Sequence, residues 1–432
     1  MDTGAKQKSG DCAAVIHICE SSKKQLRDPE AALTEATGLA AAIGLNIRLA
    51  QYKRLLRRRP ATLLGTGAID ELRTLLKRAR VGVVVLDGTI TPIQQRNLEN
   101  LWQCKVIDRT GLILEIFGER ARTREGRLQV ELAHLSYNRS RLVRSWTHLE
   151  RQRGGFGFLG GPGETQIESD RRQIDVRINR IRRDLGRVVK TRGLHRKARS
   201  KVPYPTVALV GYTNAGKSTL FNRLTGASVK SANQLFETLD PTMRAVRLPN
   251  SNRKVIFSDT VGFVSSLPLM LVAAFRATLE EVLSADLVLH VRDISHPDTN
   301  AQRKDVISVL KELGLSDDRL SNIIEVRNKV DLLDPGYFKN ENLTGNSVSV
   351  SAISGEGCHS LLTVVGSCLS SNQIIKTISL GTNDGSASAW LYRHGDVIQR
   401  EDHETCSTLR VKIDPGQLAR FFHLYPSYER CQ

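Results

Sequence analysis

The chain lacks any apolar run of about 18 residues, so no segment of it reads as a membrane-spanning helix. Its opening residues, MDTGAKQKSGDCAAVIHI, lack the apolar core and small-residue cleavage site of a secretory leader, and a cytoplasmic location is expected. Cysteine is sparse and irregular. The seven cysteines (12, 19, 104, 358, 368, 406 and 431) are odd in number and form no CxxC pair, which argues against a disulfide framework or a thiolate metal site. No repeat of 20–50 residues is present, which argues against solenoids and propellers. Negative charge is in deficit, with 45 Asp and Glu against 63 Lys and Arg, a net charge of +18. Such an excess is the footprint of a polyanion binder. It is also concentrated. Residues 118–200 hold 21 Lys and Arg against 9 Asp and Glu, two-thirds of the whole excess. That favours a nucleic-acid-facing element over a generally basic surface.

What is present points to folded domains. A hydrophobic content of 40% supports sizeable cores, and 432 residues suggest two to four domains. Residues 1–117 read as an N-terminal α/β domain, with helices at Leu33–Ala42 and Ile69–Arg80 and a β-branched strand in VGVVVLDG (81–88). Residues 118–200 read as a basic helical hairpin broken by the glycine-rich GGFGFLGGPGE (154–164). Leu128, Leu132, Leu135 and Leu142 recur at helical intervals on one side, and Ile174, Ile178, Ile181, Leu185 and Val188 on the other. Residues 201–370 alternate strands and helices as a doubly wound, mostly parallel sheet does. Residues 371–432 read as a small α+β domain, with strands at IIKTISL and LRVKI, a helix near Ala387–Arg393 and another after Pro415.

The third segment carries the chemistry. VALVG runs into GYTNAGKS (211–218), the pattern GxxxxGK[ST] between a strand and a helix. Its residues Gly211, Tyr212, Thr213, Asn214, Ala215 and Gly216 would wrap backbone N–H groups around phosphates, with Thr219 opening the helix behind them. Lys217 would reach the β- and γ-phosphates as a catalytic cation, and the Ser218 hydroxyl would bind Mg²⁺. DTVG (Asp259, Thr260, Val261, Gly262) follows a second strand. There Asp259 can support the Mg²⁺ shell, and the Gly262 N–H can meet the γ-phosphate and assist catalysis. NKVD (Asn328, Lys329, Asp331) follows a third strand. The Asp331 carboxylate would accept the two N–H donors that guanine has and adenine lacks, while Lys329 lies along the base. SAIS (351–354) would bring Ser351, Ala352 and Ile353 to the guanine O6. Four such elements in this order imply a GTPase. FETLDPT, with Phe236, Glu237, Thr238, Leu239 and Asp240, would be the switch loop. Spacing alone leaves Thr238 and Thr242 equally able to sense the γ-phosphate. Where many GTPases place a water-orienting Gln, this chain has Phe263, so slow intrinsic hydrolysis and stimulation by a partner are expected. Otherwise Phe263 packs inward and another side chain positions the water.

Together these motifs resemble the HflX family of ribosome-associated GTPases, and the resemblance covers nearly the whole chain. It rests on RARTREGRLQVELA (120–133), HLERQRGGFGFLGGPGETQIESDRR (148–172), VGYTNAGKSTLFNRLTGA (210–227), FETLDPT, SDTVGFVSSLP (258–268), VAAFRATLEEV (272–282) and NKVD. The glycine-loop run is the most specific, because generic GTPases have no such arm. The resemblance implies four parts and binding to the large ribosomal subunit and its rRNA; GTP and GDP with Mg²⁺ are the expected ligands, and a monomer is expected. It implies that the arm reaches the peptidyl-transferase region and that stalled or idle ribosomes are split. It favours Thr238 as the second metal ligand beside Ser218, and it makes a hydrophobic residue at Phe263 a family trait. Three features depart from the family. Ala68 stands where Lys is frequent, Leu269-Met270 is unusually apolar, and the extension before Val15 has no counterpart. Two other readings stay open: an RNA-binding assembly or anti-association factor with GTP as a slow structural ligand, and an ATP-driven RNA-remodelling enzyme.

Overall fold

Short apolar strands alternating with capped helices build the N-terminal region of this computed structural model. The structure describes residues 12–20, 27–55, 57–121, 123–152, 166–199, 204–227, 236, 242–249, 254–265, 281–333, 346–370, 374–381, 384–413 and 415–428. Strands β1 (Cys12–Glu20), β2 (Asn46–Leu55), β3 (Val83–Asp87) and β4 (Lys105–Asp108) form a parallel sheet in the order β2-β1-β3-β4. Helices α1 (Pro29–Ala41), α2 (Thr66–Arg78), α3 (Pro92–Trp102) and α4 (Arg109–Arg120) cover it. Their starts are legible chemistry. Asp28 accepts from Ala31 N ahead of Pro29, Thr91 and Gln94 form a capping box, and Asp108 accepts from Gly111 N at 2.8 Å.

The basic segment forms two long helices, α5 (Arg124–Gln152) and α6 (Gln166–Arg199). The pairs Glu131–Arg177 and Arg139–Asp175 run in opposite directions along the two, so the helices are antiparallel. The expected leucines of α5 are only half-buried. Among the residues of α5 whose burial is described, Val130 and Ala133 are the buried ones, and α5 packs against α4 and α3 as well as α6. On α6, Ile178 and Ile181 are buried as their spacing suggests. The base of the hairpin is tied to the N-terminal sheet, where Tyr137 Oη and Arg141 Nη2 both donate to the buried Asp108 carboxylate, at 2.6 and 2.5 Å. The glycine loop 154–163 lies outside the described residues.

The third region contains β5 (Thr206–Gly211), α7 (Lys217–Thr225), β6 (Thr242–Arg247), β7 (Lys254–Asp259), β8 (Leu287–Asp293), α8 (Thr299–Glu312), α9 (Asp317–Ser321), β9 (Ile324–Asn328), β10 (Ser347–Ser349) and α10 (Cys358–Ser370). The sheet order is β10-β9-β8-β5-β7-β6, parallel except for β6. From β5 the chain winds first toward one edge and then toward the other. The crevice at the carboxyl ends of β5 and β8 is therefore a topological switch point, where ligands bind in open α/β sheets. One face of the sheet packs Val207, Leu209 and Val291 on Leu220 and Phe221. On the other face, Ala208, Val210 and Val288 belong to an apolar cluster that also holds Val15, Leu39, Leu112 and Phe117 of the N-terminal region. A single core thus joins the two.

The last region has β11 (Ile374–Gly381), α11 (Gly385–His394), β12 (Asp396–Asp402), β13 (Cys406–Ile413) and α12 (Pro415–Leu424), with antiparallel order β11-β13-β12. Leu380, Leu391, Val411 and Phe421 form its core. Strand β12 was not expected from the sequence, because its mostly exposed residues carry no apolar alternation.

Candidate functional site

The loop after β5 closes tightly onto α7. Gly216 has φ +86°, and a Cβ there would stand 2.2 Å from Asn328 Nδ2, so the position needs glycine twice over. Among the described residues no side chain caps α7, whose first N–H groups are directed at the loop. Lys217 is 6% exposed, and its Nζ donates to Tyr212 O at 2.8 Å. Burial pushes its pKa down to about 8, against the opposing pull of the Asp259 charge.

Ser218 Oγ donates to Asp259 Oδ2 at 2.7 Å, joining α7 to the end of β7, and Asp259 is fully buried. A hydroxyl beside a carboxylate is a hard-oxygen donor set. Among the described residues no group of three His, Cys, Asp or Glu side chains is poised to hold a metal. An ion here would complete its shell from phosphate and water, which is the habit of Mg²⁺. The donors present fit that ion.

The neighbouring residues divide. The Thr260 hydroxyl donates to Leu209 O at 2.6 Å, and Val261 lies in the apolar cluster, so both side chains point away from the loop. Gly262 lies directly on it. A Cβ on Gly262 would come within 2.8 Å of Thr213 Cγ2 and 3.0 Å of Lys217 Nζ. Phe263 is 2% exposed and packs inward. Its backbone bridges the loop, with Thr213 N donating to Phe263 O at 2.7 Å and Phe263 N to Gly211 O at 3.0 Å. Phe236 is buried, edge-on to Phe117 with ring centroids 4.7 Å apart. Glu237, Thr238, Leu239 and Asp240 lie outside the described residues. Thr242 opens β6 opposite Asp259, and its buried Oγ1 has no hydrogen-bond partner among the described residues.

At the far side of the loop Asn328 is a linchpin. Its Nδ2 donates to Ala215 O at 2.8 Å and its Oδ1 accepts from Ala352 N at 3.0 Å, so three loops share one buried amide. Lys329 has φ +67°, and its ammonium pairs with Asp293 at 2.6 Å. Asp331 is exposed in the short turn Val330–Leu332. Ser351 is buried and its Oγ accepts from Ser354 N, whereas Ile353 is 69% exposed. Sequence reasoning missed two participants. Arg223 on α7 donates to Ala352 O at 3.2 Å and to Ile353 O, holding the last loop. Asp293 ends β8 just as Asp259 ends β7, and that parallel was the available signal. Nothing local marked Arg223.

Comparison with known proteins shows what the chain is similar to. Four family models match in series. They are the GTP-binding GTPase N-terminal region at 30–118, the GTP-binding GTPase middle region at 120–199, the 50S ribosome-binding GTPase at 206–329 and the HflX C-terminal domain at 338–420. GTPase HflX of Magnetococcus marinus is 48% identical over 389 residues, covering 90% of this chain and 89% of its own. GTPase HflX of Escherichia coli is 42% identical over 408 residues, covering 94% and 93%. A solved GTP-binding protein from Sulfolobus solfataricus in complex with GDP is 20% identical, with TM-score 0.42, over 83% of this chain and 99% of its own.

Proposed function

Because this chain belongs to the HflX family of GTPases, we propose that it binds GTP in the crevice beside β5, hydrolyses it, and uses it to control association with the large ribosomal subunit. The observation that carries the nucleotide reading is the shared amide of Asn328, which makes the phosphate loop and the two base-side loops one unit. In this reading the loop N–H groups and Lys217 face the β- and γ-phosphates and stabilise the charge that spreads over them as the bond to the leaving oxygen breaks. The Gly262 N–H meets the γ-phosphate. Ser218 and Thr238, with Asp259 behind them, would hold Mg²⁺, which when bound supplies positive charge against the phosphate oxygens. Asp331 accepts two N–H donors from guanine, and an adenine would leave that carboxylate unmet. Phe263 offers no group to polarise water and is packed in the core. In this proposal another side chain positions the water, and it comes into place when a partner orders the switches.

The partner reading rests on the basic hairpin. In residues 148–172, Arg151, Arg153, Arg171 and Arg172 flank a loop with Phe156 and Phe158, a composition suited to phosphate neutralisation and base stacking. In this proposal the arm engages rRNA of the large subunit, the GTP-bound protein splits stalled or idle ribosomes, and hydrolysis releases it. Light scattering of assembled ribosomes tests the splitting. Scattering should fall when protein and GTP are added together and hold steady with Lys217→Ala. Unchanged scattering with the unaltered protein would remove splitting from the proposal.

A further inference from the structure

Beside the Arg27–Asp305 pair and the Asp28 N–Asp298 hydrogen bond, a cluster of polar contacts between the N-terminal region and the GTPase region centres on Ser265, three residues after Gly262. All three of its polar groups are held. Its N–H donates to Tyr212 Oη at 2.6 Å, its carbonyl accepts from Arg109 Nε at 3.2 Å, and its hydroxyl lies 2.6 Å from Arg109 Nη2 and 3.2 Å from Glu35 Oε1. Tyr212, inside the phosphate loop, is saturated as well. Its hydroxyl donates to Glu35 Oε2 at 2.7 Å and accepts from Arg27 Nη1 at 3.2 Å besides Ser265. Arg109 is buried and also donates to Glu35 and to Asp87, whose other oxygen meets His17 Nδ1 at 2.6 Å. Burial alone would raise the Asp87 pKa, but Arg109 and His17 hold it below the usual carboxylate range. The knot is therefore charged on both sides and anchored in the N-terminal sheet.

What it holds is the segment lying on the phosphate loop. Phe263 is stitched to Gly211 and Thr213, and Gly262 sits against Thr213 and Lys217 Nζ. A γ-phosphate has to reach that ammonium with Gly262 N–H turned toward it, so the segment must lift. A diphosphate meets Lys217 through its β-phosphate but ends one phosphate short of the Gly262 N–H, and makes no such demand on the segment. We propose that Glu35 and Arg109, acting through Tyr212 and Ser265, are positioning residues that latch the 262–265 segment onto the phosphate loop, so that γ-phosphate binding works against engagement of the N-terminal domain. The proposal rests on the reading of 211–218 as a GTP site.

The test compares GDP with a non-hydrolysable GTP analogue, each titrated into the full-length chain by calorimetry. Glu35→Gln removes the charge facing Arg109, and Ser265→Ala removes a hydroxyl with little change in shape. Each should tighten the GTP analogue by about fivefold, the ratio matching one net hydrogen bond. Each should leave GDP within about twofold, since the latch need not open for it. A purely structural loss would move both nucleotides by the same factor, and that outcome overturns the proposal. So does an unmoved ratio in variants whose circular dichroism matches the unaltered chain. If Glu35→Gln fails to fold, Ser265→Ala, which removes only a hydroxyl, decides alone. If the unaltered chain binds neither nucleotide, the nucleotide reading falls and this inference with it. Normal binding with an unmoved ratio overturns the latch alone.

Discussion

Nucleotide affinity should fall as pH rises through about 8, because Lys217 is the buried cation of the loop. Its ammonium has one carbonyl partner, Tyr212 O, and burial disfavours its charge enough to bring its pKa from 10.5 to about 8. A bound polyphosphate supplies anionic partners and restores the charge. Binding must then take up a proton wherever the free protein has lost it, and affinity weakens about tenfold per pH unit above that pKa. Between about pH 7 and pH 8.5 the loss should be about fourfold, a range in which guanine keeps its own N1 proton. Calorimetric titration of GDP in buffers of different ionisation heat measures the affinity and the proton uptake together. A constant affinity with no proton uptake over that range would refute the argument. The nucleotide-free fold should behave oppositely. A base whose pKa is lower folded than unfolded penalises the fold while it is charged, so that stability rises as pH climbs from about 8 toward 10.5.

His290, buried in β8, has its pKa lowered to about 3 by burial and then by Arg292. The unfolded chain binds that proton below about 6.5, so stability should drop by about 1.4 kcal/mol per pH unit below that value. Thermal melts at stepped acid pH should show a shallower slope for His290→Leu. Gly216→Ala combines a left-handed backbone with a Cβ 2.2 Å from Asn328 Nδ2. GDP affinity should fall by more than about tenfold, from backbone strain of about 1–2 kcal/mol and a lost hydrogen bond, as fluorescence titration would show. Asp108→Ala removes the α4 cap, leaves the Tyr137 hydroxyl without its acceptor and strips Arg141 of its carboxylate partner, and should cost about 3–5 kcal/mol in denaturant melts. Asp108→Asn, which keeps the cap acceptor, should cost less.

The site's skeleton was legible because each of its motifs is local. A strand, a glycine turn and a helix start lie within a dozen residues, and Asn328 or Asp259 stands at a strand end where apolar alternation stops. Helix starts were read less well: the first helix was expected from Leu33 although Asp28-Pro29 carries its cap, and no helix was expected after Asp108. The leucine spacing of α5 marks a helix but not its burial, because α5 packs against α3, α4 and α6 at once. Strand β12 was missed because edge exposure erases the apolar signal. The latch was out of reach. Glu35 and Tyr212 are 177 positions apart and Arg109 and Ser265 are 156 apart, and only the shared core brings them together. Phe263 shows the limit from the other side. Its chemistry excluded a role in polarising water, but only packing shows where it goes.

The most direct measurement is GTP turnover by the purified chain, alone and with large ribosomal subunits added. The expected result is a slow basal rate that the subunits raise strongly, with the stimulation lost when the 154–163 loop is shortened. A rate indifferent to the subunits would contradict a ribosome-activated GTPase and leave only a slow nucleotide hydrolase.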